Sequence, residues 1–301
     1  MLRILEVPKQ FLPKMPIEYP PHQGTNPMIE EKCFEYFTKN YNNIDSDYIY
    51  LPIQWTAFHL LNGYGQNVQP LIDYYRQVTE QFPDEKFFTV VQYDGGTLVA
   101  LDNCKVFACS GSFTSPIGKN STYEAVPLMC DPHPVSFNYN SDKKYKVVFS
   151  GRITHDIRKS MFSSLSGLDG YNLYDPSGVG ISNRDVEIFR ELVDNSIFGL
   201  CPRGYGPTSF RLYETIQMGC IPIFISDEFW LPFEEYIDWK KLSLLITPDE
   251  IDKIPLIVDK LIESGEYKDM IEYGKYCYEN YFSWDGLTNT IGKIIQKNDL
   301  V

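Results

Sequence analysis

Residues 201–214 read Cys-Pro-Arg-Gly-Tyr-Gly-Pro-Thr-Ser-Phe-Arg-Leu-Tyr-Glu and decide the fold of the second half of the chain. The apolar run at 196–201 is typical of a short buried strand, and the residue spacing at 208–218 predicts a helix that ends at Gly219. In a parallel α/β sheet such a loop lies at the carboxyl end of its strand, where ligands bind. The sequence therefore predicts a ligand site in this loop.

The charges around this loop favour a ligand that carries phosphate. The start of a helix presents unpaired N–H groups and the positive end of the helix dipole. Arg203 in the loop and Arg211 in the first helical turn add two positive charges at the same place. Glu214 follows Arg211 by three residues and so shares its helix face. Cations for phosphate beside a carboxylate for ribose hydroxyls predict a bound nucleotide.

The composition indicates a large globular protein rather than a nucleic-acid or membrane binder. The chain has 301 residues, 43% of them hydrophobic, and at that size one core commonly divides into two. Its formal net charge of −13 argues against binding to nucleic acids or anionic membranes, which requires a basic face. Six of the eight arginines nevertheless fall between Arg152 and Arg211. The second half therefore concentrates the side chains that bind phosphate best.

Helical and strand patterns alternate along the chain, with a linker at 131–144. Strands are predicted at 48–51, 86–92, 105–109, 146–150, 171–174, 196–201, 221–225 and 243–246. Helices are predicted at 28–39, 68–81, 156–165, 183–194, 208–218 and 249–264, and further helices within 267–296. Pro255 is expected to break the helix at 249–264. Two such units predict an α/β protein with two Rossmann-like, doubly wound sheets that face a cleft.

The cysteines and the N-terminus predict a soluble, cytoplasmic chain. The seven cysteines are an odd number and contain no Cys-X-X-Cys pair, which favours reduced thiols over a disulfide framework or a zinc site. The first ten residues hold no apolar run long enough for a signal peptide or a membrane anchor. We therefore expect neither secretion nor stable insertion into a membrane; the alternative is that an N-terminal anchor has been removed.

The chain resembles a known family in the residues that follow the loop. Residues 214–227 read Glu-Thr-Ile-Gln-Met-Gly-Cys-Ile-Pro-Ile-Phe-Ile-Ser-Asp, and Leu-Pro-Phe follows at 231–233. With the Pro-Arg-Gly loop and the Ser-Phe-Arg helix start, this resembles the C-terminal signature of the exostosin-type glycosyltransferases. The segments at 148–158 and 87–96 are similar to that family's glycine-bearing strand end and its aspartate-containing turn.

This resemblance implies a two-domain architecture of the GT-B type and an activity. Residues 1–140 would form the acceptor-binding domain, 141–283 the nucleotide-sugar domain, and 284–301 a final helix that packs back on the first domain. The implied reaction is transfer of a sugar from a UDP-sugar to a hydroxyl of a glycan acceptor, with inversion at the anomeric carbon. Among the donors that such enzymes use, UDP-xylose is our first choice.

The same resemblance assigns the loop and its helix to the nucleotide. The residues expected to bind UDP are Arg158, Arg203, Gly204, Tyr205, Thr208, Ser209, Arg211 and Glu214. The arginines and the N–H groups of the helix start would stabilise the departing diphosphate. Glu214 would hold the ribose hydroxyls; the alternative is that it only forms an ion pair with Arg211 in its own helix.

Four residues of the first half could be the base that accepts the proton of the acceptor hydroxyl: His22, His59, Asp73 and Asp94. Each has a simpler explanation or lacks support. Asp94 could be an ordinary turn residue, Asp73 could stabilise a helix dipole, and His59, between apolar neighbours, could be a core histidine.

We expect no obligatory metal ion or other cofactor. The triplet Asp45-Ser-Asp47 has the spacing that holds metal-bound diphosphate in a different glycosyltransferase architecture. Here it directly precedes a predicted strand in the acceptor half of the chain, which is typical of a polar turn. Arginines and a helix dipole can supply the positive charge instead.

Two other classes of function compete with sugar transfer. A nicotinamide-dependent oxidoreductase could use Gly204, Gly206 and Ser209 as a dinucleotide loop, with Asp227 as the ribose-binding acid. Against it, Pro202 and Arg203 separate the strand from the first glycine, and charged residues occupy the helix. The second competitor is a catalytically silent sugar-binding module, which the abundant Tyr and Trp residues would suit.

Overall fold

The computed structural model of the chain describes residues 1–15, 28–110, 115–130, 133, 143–176 and 182–296. These residues form two compact units. The first contains the described residues up to Pro127 together with those from Trp284 onward, and the second those from Leu128 to Ser283. Each unit is built around one five-stranded sheet.

The first unit has a wholly parallel sheet whose strands follow one another in chain order, β1-β2-β3-β4-β5. Its strands and helices are β1 Arg3–Ile4, α1 Ile29–Asn40, β2 Tyr48–Tyr50, α2 Trp55–Leu61, α3 Gln69–Gln81, β3 Lys86–Val91, β4 Cys104–Ala108, β5 Thr122–Ala125 and α10 Trp284–Ile295. Aromatic side chains fill its core: Phe88 stacks on Tyr50 with ring centroids 4.7 Å apart, and Phe37 of α1 packs edge-on against Phe88.

The second unit also has a parallel sheet, but its order is β10-β9-β8-β6-β7. Its elements are β6 Tyr145–Ser150, α4 Asp156–Leu165, β7 Tyr171–Tyr174, α5 Asn183–Asp194, β8 Ser196–Pro202, α6 Phe210–Gln217, β9 Ile221–Ile225, α7 Trp239–Leu242, β10 Leu244–Ile246, α8 Ile254–Ser264 and α9 Tyr267–Cys277. A π-helical segment, Tyr278–Phe282, follows α9 directly.

Helices cover both faces of this second sheet, because successive side chains of a strand point to opposite faces. Along β6, Val147 and Phe149 join a cluster that contains Met161 of α4. Val148 points to the other face and joins a cluster with Phe189 of α5. The predicted α/β class is thus confirmed.

Local signals set most element boundaries. Ser182 and Asp185 form the capping box that starts α5: the Ser182 hydroxyl accepts from the Asp185 N–H, and the Asp185 carboxylate accepts from the Ser182 N–H at 2.8 Å. Helix α6 ends before Gly219, whose φ of 70° lies in the left-handed region.

The prediction for 249–264 was wrong in one respect. A 3₁₀ turn, Pro248–Lys253, precedes α8, and Pro255 stands in the first turn of α8 instead of interrupting it. The first turn tolerates proline because its N–H groups have no partner inside the helix. The sequence analysis also missed the short elements β1, α2, β5 and α7.

All seven cysteines lie in the described part of the chain, and each is a buried thiol outside any disulfide. Across the same residues, none of the helices combines the length and the apolar character needed to span a bilayer.

Candidate functional site

The strand order of the second unit identifies the place where a ligand would bind. From β6 the chain runs outward to β7, then returns to β8 on the other side of β6 and continues to β9 and β10. The direction of winding therefore reverses between β6 and β8. In open parallel sheets, ligands bind outside the carboxyl ends of the strands at such a point. The loop at 203–209 follows β8 at this position.

The loop has a fixed shape and leads directly into α6. The Gly204 N–H donates to the Thr208 carbonyl at 3.0 Å and closes the turn. Ser209 caps α6, because its hydroxyl accepts from the Arg211 N–H. Gly199 in β8 lets α6 approach the strand: a Cβ atom there would lie 2.8 Å from Thr215 Cγ2. The start of α6 is thus held close to the end of β8.

Arg158 joins the loops that follow β6 and β8. Its guanidinium is buried and donates to three backbone carbonyls, those of Arg152, Pro202 and Arg203, at 2.7–3.2 Å. Burial, and to a smaller extent the nearby charge of Arg211, lower the pKa of Arg158 to about 10. The Arg158 guanidinium therefore remains charged at neutral pH. Arg158 therefore positions the loop and places a positive charge beneath it.

Arg203 and Thr208 carry the loop's unused hydrogen-bonding capacity. Arg203 forms an ion pair with Asp227, which lies two residues after the end of β9. Arg203 also donates to the Tyr205 carbonyl at 3.2 Å. Its Nε and the hydroxyl of Thr208 are buried and have no hydrogen-bond partner among the described residues. Tyr205, by contrast, is 81% exposed. Buried polar atoms of this kind are costly unless a ligand or water satisfies them.

Arg211 and Glu214 belong to a buried chain of charged and polar contacts. Arg211 donates through Nε to the Ser150 carbonyl at 2.7 Å and through Nη1 to Glu214 Oε2 at 2.5 Å. Glu214 Oε1 lies 3.1 Å from Nε2 of His133, whose Nδ1 accepts from Nε of Arg190. The His133 ring therefore carries its proton on Nε2 and donates it to Glu214.

The electrostatics of this chain keep Glu214 ionised. Burial raises the pKa of the Glu214 carboxyl, but the charge of Arg211 and the hydrogen bond from His133 outweigh burial and bring the pKa below its ordinary value. The guanidinium of Arg211 also lies over the Phe189 ring, 3.8 Å from its centroid. The arrangement holds one buried negative charge between two protein groups, Arg211 and His133.

The structure brings most of the predicted nucleotide residues to one edge of the sheet, but it changes the interpretation of Glu214. Its side chain is 2% exposed, and both carboxylate oxygens already contact protein groups. The alternative of an ion pair with Arg211 is the arrangement observed. His133, which the sequence analysis left in a linker, completes the chain; a histidine between prolines gave no spacing signal from which to find it.

The dinucleotide alternative finds no support in the geometry. Asp227, its ribose-binding acid, is paired with Arg203. Among protein atoms, a Cβ on Gly204 would meet its nearest neighbours at 3.6 and 3.7 Å, which is ordinary contact, so the folded chain itself does not require glycine at this position.

Asp94 is the candidate base with the most suitable surroundings. It follows β3, the central strand of the first sheet, in a turn closed by the Gly96 N–H donating to the Tyr93 carbonyl. The side chain is exposed, and no described residue hydrogen-bonds to it. Surrounding protein nevertheless removes enough water to raise the pKa of its carboxyl. An accessible carboxylate with a raised pKa suits a general base.

The other candidates have structural partners or lie elsewhere. His59 is fully buried, its Nε2 lies 3.0 Å from the Thr97 carbonyl, and burial lowers its pKa to about 4, all typical of a core histidine. Asp73 lies on the outside of α3, one position beyond the first turn, and contacts Gln69 and Arg76. His22 falls outside the described residues.

The triplet at 45–47 has protein contacts of its own. Asp45 lies 2.9 Å from the amino group of Met1, and the charge of Asp47 acts on Arg3. Within the part of the chain that the structure describes, no three His, Cys, Asp or Glu side chains are grouped so that they could hold a metal ion.

Comparisons with known proteins match a large part of the chain to one family. The exostosin GT47 domain matches residues 95–261, a little over half of the chain. Exostosin-1 of Drosophila melanogaster is 34% identical over 145 residues, which cover 40% of this chain and 19% of that protein. "Probable glucuronosyltransferase 47 A" of Physcomitrium patens is 33% identical over 92 residues, 31% of this chain and 20% of that protein. These alignments span about a fifth of the length of the two relatives.

Solved structures are more distant. A sucrose-phosphate synthase from Thermosynechococcus elongatus aligns with a TM-score of 0.47 at 12% identity, over 93% of this chain and 80% of that one.

Proposed function

The chain belongs to the exostosin GT47 family, and on that premise we propose that it is a glycosyltransferase that moves a sugar from a UDP-sugar to a hydroxyl of a glycan acceptor. The second unit would bind the donor, and the first unit would supply the base.

One observation supports the donor site above all. The loop after β8 lies at the point where the winding of the sheet reverses, and it holds two buried polar groups, Arg203 Nε and the Thr208 hydroxyl, that lack a partner among the described residues. The start of α6 adds the positive end of a helix dipole at the same place. A diphosphate supplies the acceptor oxygens and the negative charge that these groups would satisfy.

The proposed chemistry is an inverting displacement. As the bond between the sugar and the diphosphate breaks, negative charge grows on the leaving oxygen, and Arg203 with the α6 N–H groups would stabilise it. Arg158, which donates to the backbone of the loop, and Arg211 in the first turn of α6 add positive potential nearby. Asp94 would accept the proton of the attacking acceptor hydroxyl. Positive charge from these arginines makes a metal ion unnecessary in this proposal.

The donor sugar is a separate part of the proposal. UDP-xylose is the first choice from the sequence analysis. Because the Physcomitrium relative is described as a probable glucuronosyltransferase, UDP-glucuronic acid is the main alternative donor. A panel that includes UDP-xylose, UDP-glucuronic acid, UDP-galactose, UDP-arabinose and UDP-N-acetylglucosamine, assayed for slow hydrolysis, would separate them.

Calorimetric titration of the chain with UDP in EDTA tests the donor site. We expect UDP to bind without added metal. Thr208→Val should weaken binding about tenfold, since it removes one buried hydroxyl and keeps the shape of the side chain. The matched control is Thr79→Val on α3, whose hydroxyl bonds only within its own helix.

Each part of this proposal can fail separately. Binding that EDTA abolishes and magnesium or manganese restores would contradict metal-independent binding alone. Binding of NADH in place of UDP would contradict the proposed activity. Equal UDP affinity in the Thr208→Val chain and the control would move the diphosphate away from this loop.

A further inference from the structure

Four tyrosines form a continuous aromatic surface beside the edge strand β10 of the second unit. They are Tyr236, Tyr273, Tyr276 and Tyr281, which we call the tyrosine surface. Neighbouring ring centroids lie 6.1–6.3 Å apart along the order Tyr236, Tyr281, Tyr276, Tyr273. Tyr236 and Tyr273, at the two ends, both line a cavity of about 650 Å³.

The π-helical segment after α9 helps to build this surface. In an α-helix, residues five apart point in directions roughly 140° apart, at about 3.6 residues per turn. A π turn joins residues five apart by a hydrogen bond and so brings them onto one face. Tyr276 and Tyr281 are five apart, span the junction of α9 with the π segment and make ring contact. Such π segments are rare and frequently occur at functional sites.

A second unusual backbone feature supports the same surface from the other side. Phe233 has a φ of 55°, in the left-handed region that bulky residues avoid. The turn is fixed by the indole N–H of Trp239, which donates to the Pro232 carbonyl at 2.9 Å. It places the Phe233 ring 6.3 Å from Tyr281 and carries Tyr236 into its position beside the same ring. Backbone strain of this kind persists where the surroundings enforce it, often at binding sites.

The tyrosine surface is more exposed to solvent than side chains of a hydrophobic core are. Tyr276 is 50% exposed and Tyr236 is 40% exposed, although both make ring contacts with Tyr281. Contiguous exposed aromatic groups around a cavity commonly mark a binding site.

The charges around the cavity restrict what could bind. Glu234, Glu235 and Asp238 line it, against the single lysine Lys240 among its lining residues. An anionic ligand, such as a sulfated or uronate-rich glycan, would be repelled. Carboxylates and tyrosine hydroxyls can accept hydrogen bonds from sugar hydroxyls, and tyrosine rings offer flat apolar faces.

We propose that the tyrosine surface and its cavity form a second carbohydrate site, which binds an uncharged stretch of glycan. The apolar C–H face of each pyranose ring would stack on a tyrosine, while the carboxylates accept hydrogen bonds from the ring hydroxyls at the rim. This site is separate from the loop at 203–209, and its occupation needs no donor. It would hold a glycan chain on the enzyme by sugars other than the one that reacts.

Saturation-transfer NMR and calorimetry with xylohexaose, cellohexaose and chitohexaose test the site. At least one of the three neutral hexasaccharides should bind, and Tyr276→Ala should weaken that binding fivefold or more. Tyr276→Phe keeps the ring and should bind within twofold of the parent chain. Tyr64→Ala, which removes a 73% exposed tyrosine in the first unit, is the matched control and should change nothing.

UDP titrations of the same variants keep this test independent of the proposed activity. UDP affinity should be equal in Tyr276→Ala and the parent chain, whether or not the parent chain transfers sugar. The proposal is overturned if none of the neutral hexasaccharides binds, or if their binding survives Tyr276→Ala. It is also overturned if Tyr276→Ala weakens the binding of a heparin hexasaccharide or an octalysine peptide instead of a neutral hexasaccharide.

Discussion

Two buried glutamates, one in each unit, show how differently the two units treat charge. Glu30 in the first turn of α1 and Glu214 in α6 are each 2% exposed. Glu30 accepts from the N–H and hydroxyl of Thr56, at 3.0 and 2.5 Å, and from the Gln92 N–H. These donors are neutral, and burial raises the pKa of the Glu30 carboxyl despite them. Glu214 has the cation of Arg211 and a lowered pKa.

The difference is what we expect from the division of labour that we propose for the two units. The second unit directs arginines to the edge of its sheet where the winding reverses, which suits binding of a polyanion. The edge of the first sheet instead holds two carboxyl groups, the buried Glu30 and the exposed Asp94, and loss of water to the surrounding protein raises the pKa of each. Raised carboxyl pKa values suit proton transfer. Each prediction below tests one side of this contrast against the other.

The largest effect should come from neutralising the two glutamates in turn. Glu214→Gln leaves Arg211 buried without its counter-charge and should lower the unfolding free energy by about 3–5 kcal/mol. Glu30→Gln removes a buried carboxyl group that has no cation beside it, while the amide oxygen can keep the same donors. Its unfolding free energy at pH 7 should stay within about 1 kcal/mol of the parent or rise. Urea unfolding of both variants measures the difference. Equal losses would show that the surroundings of the two carboxylates are equivalent.

The second prediction concerns the base. Asp94→Asn should lower kcat about a hundredfold or more and change the Kd for UDP less than twofold, because a base acts on the acceptor and not on the donor. Asp73→Asn, on the outside of α3, is the matched control and should turn over like the parent. Single-turnover kinetics with parallel UDP titrations separate the two quantities. Normal turnover in both variants would remove these aspartates and leave His22 to be tested.

The third prediction addresses the planar guanidinium of Arg211, which contacts the Ser150 carbonyl, Glu214 and the Phe189 ring together. A lysine ammonium cannot reproduce this geometry. Arg211→Lys should lower kcat/KM about tenfold, equivalent to about 1.4 kcal/mol. Arg76→Lys, at a 63% exposed arginine of the first unit, should leave it unchanged. Unaltered kinetics in Arg211→Lys would mean that charge alone matters at this position.

Much of the second unit could be predicted from sequence because its signals are local. Apolar runs bounded by Gly219 and by the Ser182 capping box give strands and helices directly. The loop at 201–214 places the arginines because a strand, a glycine turn and a helix follow one another without interruption. The seven residues of α2, by comparison, are too few to show a helical period.

The contacts that decide the chemistry are not local. His133 meets Glu214 across 81 positions, and Arg158 meets the Pro202 carbonyl across 44. No spacing rule relates residues so far apart. The sequence therefore suggested Glu214 as a ribose ligand, while the folded chain surrounds it with His133 and Arg211. Sequence analysis did not predict a role for Glu30 either, because its burial depends on the approach of α2 to the start of α1.

The smallest effect is a difference in how stability depends on pH, and its sign follows from the two pKa directions. Glu214 has a lowered pKa in the folded state, so its contribution is complete above the unfolded value of about 4.3 and is lost as the pH falls below it. Glu30 has a raised pKa, so its ionisation destabilises the fold above its folded pKa, and this cost disappears as the pH falls towards about 4.3.

Comparing each glutamine variant with the parent chain from pH 3 to 8 should therefore give changes of opposite sign in separate pH ranges. Relative to the parent, Glu30→Gln should gain stability as the pH rises above about 4.3, and the deficit of Glu214→Gln should shrink as the pH falls below that value. Neither slope can exceed about 1.4 kcal/mol per pH unit, because one proton is involved. Parallel profiles of stability against pH for the two variants would contradict the contrast between the units. The two glutamates are equally buried, and the contrast lies in their charged neighbours.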